Sequence, residues 1–302
     1  MKIYGKRQKT YQIALLKGKM MKNIISKLVL SCLMAVPLGA AAASACDSRL
    51  DDRASMYHSE MSDLLKGGDF QRLEESMKKN YEEIRKEGNG DHLFYLAAFF
   101  TMTSRSGNKG LAEWKRLMPA AFFSNYVSGM KLMRDADEVR VGRSADAMSS
   151  KDMEAIRNLQ QAARDDFVRA KSANSQRAIV DAALITIDAT ENGPAAIVEQ
   201  LKKANSSDPM NVSARLAAIN YLAPRWGGSF AAMDDVVKQA KTAGLPKSHV
   251  EYLTMALENT KASHFEIIEQ NVEKAQEHYR KAYDICNKSN FAIDGLERTG
   301  GR

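Results

Sequence analysis

The chain has 302 residues, with 44 Lys and Arg against 37 Asp and Glu, and three cysteines. Eight of the basic residues (Lys2, Lys6, Arg7, Lys9, Lys17, Lys19, Lys22, Lys27) and no acidic ones fall within residues 1–45, which leaves 36 basic against 37 acidic groups, a formal charge of −1, over 46–302. That balance argues against a nucleic-acid partner, which needs a basic face on the folded domain. So few cysteines exclude a disulfide-built miniprotein and the multi-cysteine metal motifs.

At the amino terminus, Lys22 and Lys27 lead into the apolar run 28–36; Pro37 and Gly39 break it, and small residues follow as far as Ala43-Ser44-Ala45. A charged start, a short apolar core and an Ala-x-Ala ending are the parts of a secretory signal peptide. The run is about half the ~20 residues that a permanent membrane helix needs. A buried amphipathic helix is the competing reading, and export is the expected one. Residues 1–19 are a long basic leader, and Met20 and Met21 stand directly before the charged region. Translation therefore starts at one of these methionines, with 1–19 a start-site artefact, or the signal has an extended leader. The expected organisation is a leader and signal peptide over 1–45 and one domain over 46–302, delivered to the periplasm.

Two readings are open for Cys46. Ala43-Ser44-Ala45-Cys46 is an imperfect match to a lipoprotein signal, with Ala43 where a larger aliphatic residue is usual, so Cys46 is either a lipidated first residue or the partner of Cys286 in a disulfide. A lipid anchor at Cys46 is the only membrane attachment expected.

Beyond Cys46 the apolar residues recur at helical spacing, punctuated by glycine, and runs of alternating β-branched residues are missing. Helices are predicted over 50–66, closed by Gly67-Gly68, and over 70–86, closed by Gly88. A denser apolar helix follows over 93–103. Its Phe94, Tyr95, Phe99 and Phe100 read as core rather than as a ligand pocket. Next come 111–118, interrupted at Pro119, then 122–139, a loop over 141–150, and a long helix over 151–171. Helices over 176–190, 194–204 and 212–222 succeed it, with Pro194 in a first turn, where proline is welcome. The last three are predicted over 229–242, 248–260 and 264–286. Many helices joined by short turns make an all-α fold, either a tetratricopeptide-like helical-repeat α-solenoid or an irregular helical bundle. The solenoid is favoured by an echo: Ala178, Ala182 and Ala183 are matched by Ala214 and Ala218, offset by about 36 residues, near the ~34-residue tetratricopeptide period. The stretch 275–283 reads as the second helix of such a repeat.

The most distinctive stretch is Pro224-Arg225-Trp226-Gly227-Gly228-Ser229. Pro224 stops one helix, the glycines allow a reversal, and Ser229 caps the next helix. Trp226 is expected to pack into the joint and Arg225 to satisfy carbonyls at the helix end. A Trp/Arg pair is also a candidate partner-binding hot spot, to be weighed against a purely structural staple. These residues, with Phe230 and Met233 after them, resemble a bacterial group of tetratricopeptide-like proteins, the domain of unknown function 4034. Looser similarities lie in Leu64-Leu65, Asp69-Phe70 and Leu73, and in Trp114, Pro119, Tyr126 and Gly129. The resemblance spans most of the mature chain, although only the six-residue turn is specific. It implies a helical-repeat fold and brings no established activity.

No catalytic, cofactor-binding or metal-binding motif is found. His58, His92, His249, His264 and His278 form no i,i+4 pair. On the predicted 264–286 helix, His264 and His278 stand about 21 Å apart, too far to share an ion. Cys286 lies about 12 Å from His278 on the same helix. Glu266, Glu269, Glu273 and Glu277 read as one solvated stripe of that helix, interleaved with Lys274, Arg280 and Lys281. Glu74-Glu75 and Glu82-Glu83 read likewise. The functional expectation is therefore a non-enzymatic protein-interaction scaffold of the bacterial envelope, holding a protein or peptide. A more specific version is an immunity protein against an effector delivered by a rival cell. The alternative is an envelope enzyme with a cryptic acid/base site.

Overall fold

The computed structural model describes residues 59–86, 107–140, 148–174 and 178–301. Among these residues the fold is all-α, without a strand. The leader, Cys46, His58, His92 and the predicted 93–103 helix with its aromatic cluster lie outside the described residues, as does most of the predicted 141–150 loop. Residues 59–67 are helical. They are followed by α1 (Phe70–Lys86), α2 (Gly107–Leu117), α3 (Phe122–Arg140) and α4 (Ser150–Ala173). The second half comprises α5 (Ile179–Glu191), α6 (Gly193–Ser207), α7 (Ser213–Tyr221), α8 (Phe230–Thr242), α9 (Lys247–Ile267), α10 (Val272–Ile285) and α11 (Asn290–Thr299).

Local chemistry sets many of these boundaries. Asp69 accepts from the Arg72 N–H at the start of α1, and Ser149 accepts from the Asp152 N–H at the start of α4. Ser229, Asn271 and Ser289 do the same for α8, α10 and α11. Each such bond satisfies one of the amide groups that the first turn of a helix leaves open. The N-terminus of α3 is served from a distance, by Glu74 of α1, whose carboxylate accepts from the Phe123 N–H at 2.8 Å.

Consecutive helices pair along the chain: α2 with α3, α3 with α4, α4 with α5, and so on to α10 with α11. From α5 onward a second relation appears. Helix α7 also packs on α5, α9 on α7, and α11 on α9. Helices α5, α7 and α9 begin at Ile179, Ser213 and Lys247, 34 residues apart each time. The alanines that echo one another in sequence, at 178–183 and 214–218, thus lie at the starts of two helices in direct contact.

Helix α5 joins the two halves of the molecule. Its Ile179, Val180, Ala183, Leu184 and Ile187 belong to an N-terminal core with Leu73, Trp114, Tyr126 and Phe167. Its Ala182, Ile185 and Ala189, with Ala178 just before it, belong to a second core with Ile219, Met233, Val237 and Tyr252. A helix apolar on both sides is buried on both sides. Helices α7 and α9 are similarly enclosed along most of their length. Each large apolar side chain sunk this way contributes about 1.5–3 kcal/mol.

The C-terminal helices depart from the sequence expectation. The predicted break near residues 261–263 is absent: Ala262, Ser263, His264 and Phe265 are all buried, and α9 runs unbroken through them. The chain turns instead at 268–271, where Gln270 takes φ +53° and Asn271 caps α10. Helix α11 was not expected.

Candidate functional site

The Pro224–Ser229 turn is built largely as its residues predict. Helix α7 ends at Tyr221, and Pro224–Trp226 form a single 3-10 turn. Gly227 takes φ +84° and donates to the Pro224 carbonyl at 2.9 Å. Gly228 passes so close to the preceding helix end that a Cβ there would stand 2.1 Å from the Leu222 carbonyl oxygen. Only glycine fits. Ser229 then caps α8, accepting from the Ala232 N–H at 3.1 Å. Trp226 is partly buried against the second core, its ring 5.6 Å from that of Tyr221. Arg225 departs from its expected role. Its guanidinium lies over the Trp226 ring, 5.7 Å from the centroid. Both Arg225 Nε and Trp226 Nε1 are closed to solvent and have no hydrogen-bond partner. The pair therefore packs as a joint, held by stacking on the ring face rather than by capping.

A second cluster lies between α9, α10 and α11. His264 and His278 do not share a helix, as the sequence suggested; they stand on the two arms of the α9–α10 hairpin. Phe265 lies between them, parallel to the His278 ring at 5.3 Å and edge-on to His264 at 6.0 Å. The Lys274 ammonium sits 4.9 Å from the centre of the Phe265 ring. His278 Nδ1 is 2.6 Å from Oε2 of Glu258, and both side chains are largely buried. A carboxylate partner requires the proton on Nδ1, so the neutral ring keeps a lone pair on Nε2. His264 Nε2 lies 3.3 Å from Glu269, across the turn.

The expected glutamate stripe is also dispersed by the turn. Glu266, at the end of α9, accepts from the Tyr279 hydroxyl at 2.6 Å and from both Nε and Nη2 of Arg298 on α11, at 2.9 and 3.0 Å. Burial pushes the Glu266 carboxyl up, but these hydrogen bonds and the Arg298 charge outweigh it and leave its pKa lowered. Tyr279 is raised, by burial first and then by the Glu266 charge. On α10, Glu277 pairs with Lys281 one turn on, as helical ion pairing predicts. The sequence signal for this arrangement was Asn271 followed by Glu273 and Lys274, a helix start in the middle of the predicted element.

Other buried carboxylates serve as ties between helices. Asp166 on α4 has no solvent exposure and pairs with Lys115 of α2 and Arg169, while Ser128 of α3 donates to it at 2.7 Å. Asp181 on α5 is equally buried, with Lys171 and Gln200 as partners. Burial raises its pKa against their pull. Asp137 near the end of α3 differs. Burial pushes its carboxyl up to about 7, against the attraction of Arg140 and Arg134.

Cys286 closes α10. Its N–H donates to the Ala282 carbonyl at 3.0 Å, its side chain is 1% exposed, and it is disulfide-bonded. Among the described residues no group of three or more His, Cys, Asp or Glu is placed to hold a metal ion. No described helix is long and apolar enough to cross a membrane.

These features define an all-α protein of packed helical hairpins with a polar cluster at its C-terminal end. No family model, curated protein or solved structure matches the chain.

Proposed function

We propose that this chain is an exported, non-enzymatic interaction scaffold of the bacterial envelope, in which residues 178–301 act as a short tetratricopeptide-like solenoid that holds a protein or peptide. The observation that supports this most is the side-by-side packing of α5, α7, α9 and α11, the first three starting 34 residues apart. Stacked units of that kind offer an extended surface for a partner. The resemblance of the Pro224–Ser229 turn to domain of unknown function 4034 proteins supports the repeat reading. The signal-like leader supports export. Protection against a delivered effector is the more specific form of the proposal.

The test is affinity capture from envelope extract with immobilised residues 46–302, read by mass spectrometry. The captured partner must then bind the purified chain saturably. Without any reproducible, saturable partner the scaffold reading fails.

The Glu258–His278 pair favours one second reading, an envelope enzyme that uses His278 Nε2 as an acid/base. Turnover of envelope substrates such as peptidoglycan fragments, present in the native chain and abolished in His278→Gln, would replace the scaffold with this reading.

A further inference from the structure

The disulfide at Cys286 has a partner that the sequence narrows to two positions. The chain has only three cysteines, Cys32, Cys46 and Cys286, and Cys286 is the one among the described residues. Cys32 falls inside the apolar run 28–36, the part of a secretory signal that is removed with the leader. Cys46 directly follows Ala43-Ser44-Ala45, and on the export reading it becomes the first residue of the processed chain.

We infer that the mature protein carries a Cys46–Cys286 disulfide that fastens its first residue to the C-terminal end of α10. This rests on the export reading of the leader, because an oxidising compartment is required. The two thiols lose two protons and two electrons as the S–S bond forms. The electron acceptor is a disulfide of the exported compartment, which is reduced to a dithiol by thiol–disulfide exchange. The bond also decides the fate of Cys46. Lipidation converts the same sulfur to a thioether, so a chain joined through Cys46 has no lipid anchor and is released rather than tethered. Cys286 suits a lasting bridge: at 1% exposure, between Ala282 and the turn to α11, it is shielded from reductants.

The experiment is expression of the full chain with its own leader in a bacterial host, purification from the periplasm, and denaturation in iodoacetamide without reductant. The expected result is the mass of residues 46–302, about two daltons below the dithiol form, with no alkylated cysteine and a cross-linked peptide pair containing Cys46 and Cys286. In Cys46→Ser the unpaired Cys286 takes up one alkyl group. Two alkylated cysteines in the native chain, or a diacylglyceryl mass on Cys46, would overturn the bridge while leaving export intact. An uncleaved chain held in the cytoplasm would instead overturn the export reading, and the bridge with it.

Discussion

Gly129 of α3 lies directly beneath the ring of Phe167 of α4, so close that a Cβ at position 129 would stand 2.6 Å from the nearest ring carbon. This contact brings α3 and α4 together in the N-terminal core, where Phe167 also packs on Tyr126 at 6.2 Å between ring centres. Gly129→Ala is expected to cost about 1–3 kcal/mol in urea unfolding, through displacement of the ring. The double variant Gly129→Ala/Phe167→Leu should recover part of that loss, because the two changes share one space. Strictly additive losses would mean that the ring and the glycine do not limit one another.

The Pro224–Ser229 turn allows its structural and binding roles to be separated. Gly228→Ala drives a Cβ into the Leu222 carbonyl, and the chain cannot relieve this without moving the end of α7. A loss of about 2–4 kcal/mol is expected, with Trp226→Ala similar through lost packing. Arg225→Ala should stay within about 1 kcal/mol of the native chain, the strength of a single cation stacked on the Trp226 ring. The binding measurement with a captured partner then decides: weakened binding by Arg225→Ala at unchanged stability marks an interface, and unchanged binding marks a joint alone.

How much of this was legible in sequence depends on where the determinants lie. Helix α1 was read at its observed bounds, because the Gly67-Gly68 stop and the apolar spacing of Leu73, Met77, Tyr81 and Ile84 are local. The Pro-Gly-Gly-Ser turn was readable for the same reason. The end of α9 was not. No glycine or proline marks residues 268–271, and what carries the helix past Thr260 is the burial of His264 and Phe265 against Phe230 of α8 and His278 of α10. Once that break was misplaced, Glu266–Tyr279–Arg298 was invisible, since Glu266 and Tyr279 then share one predicted helix and Arg298 lies beyond its end. Helix α11 was missed because it is only ten residues long and follows directly on α10, and its clearest signal is the Ser289 cap.

Asp137 should make stability fall as the solution becomes more alkaline. Its folded carboxyl titrates at about 7, above the ~3.9 of an unfolded aspartate. The folded state therefore holds a proton that the unfolded state has already lost. The stabilisation is complete below about pH 4 and is lost as pH rises through about 7. Asp137→Asn mimics the neutral carboxyl at every pH, so the loss on ionisation does not occur in it. The variant should be more stable than the native chain at pH 8, by at least about 1 kcal/mol after allowance for solvent, and nearly equal to it at pH 4. Denaturant midpoints at several pH values provide the measurement, and parallel profiles for the two proteins would refute the assignment.

Glu266 should have the opposite pH dependence. Its pKa is lowered by Arg298 and Tyr279 despite burial, so its stabilising effect is present above the ~4.3 of an unfolded glutamate and is lost as pH falls through the lower, folded value. Glu266→Gln removes the charge while keeping the shape. It leaves the Arg298 guanidinium facing a neutral amide and the buried Tyr279 hydroxyl with a weaker acceptor. A loss of about 1–3 kcal/mol at pH 7 is expected, narrowing towards zero in acid. Tyr279→Phe offers a control on the same carboxylate: Arg298 still holds Glu266 through two nitrogens, so a smaller loss with the pH dependence retained is expected. If Glu266→Gln instead costs the same at pH 3 as at pH 7, the cluster stabilises the α9–α11 junction by packing, and its charge is incidental.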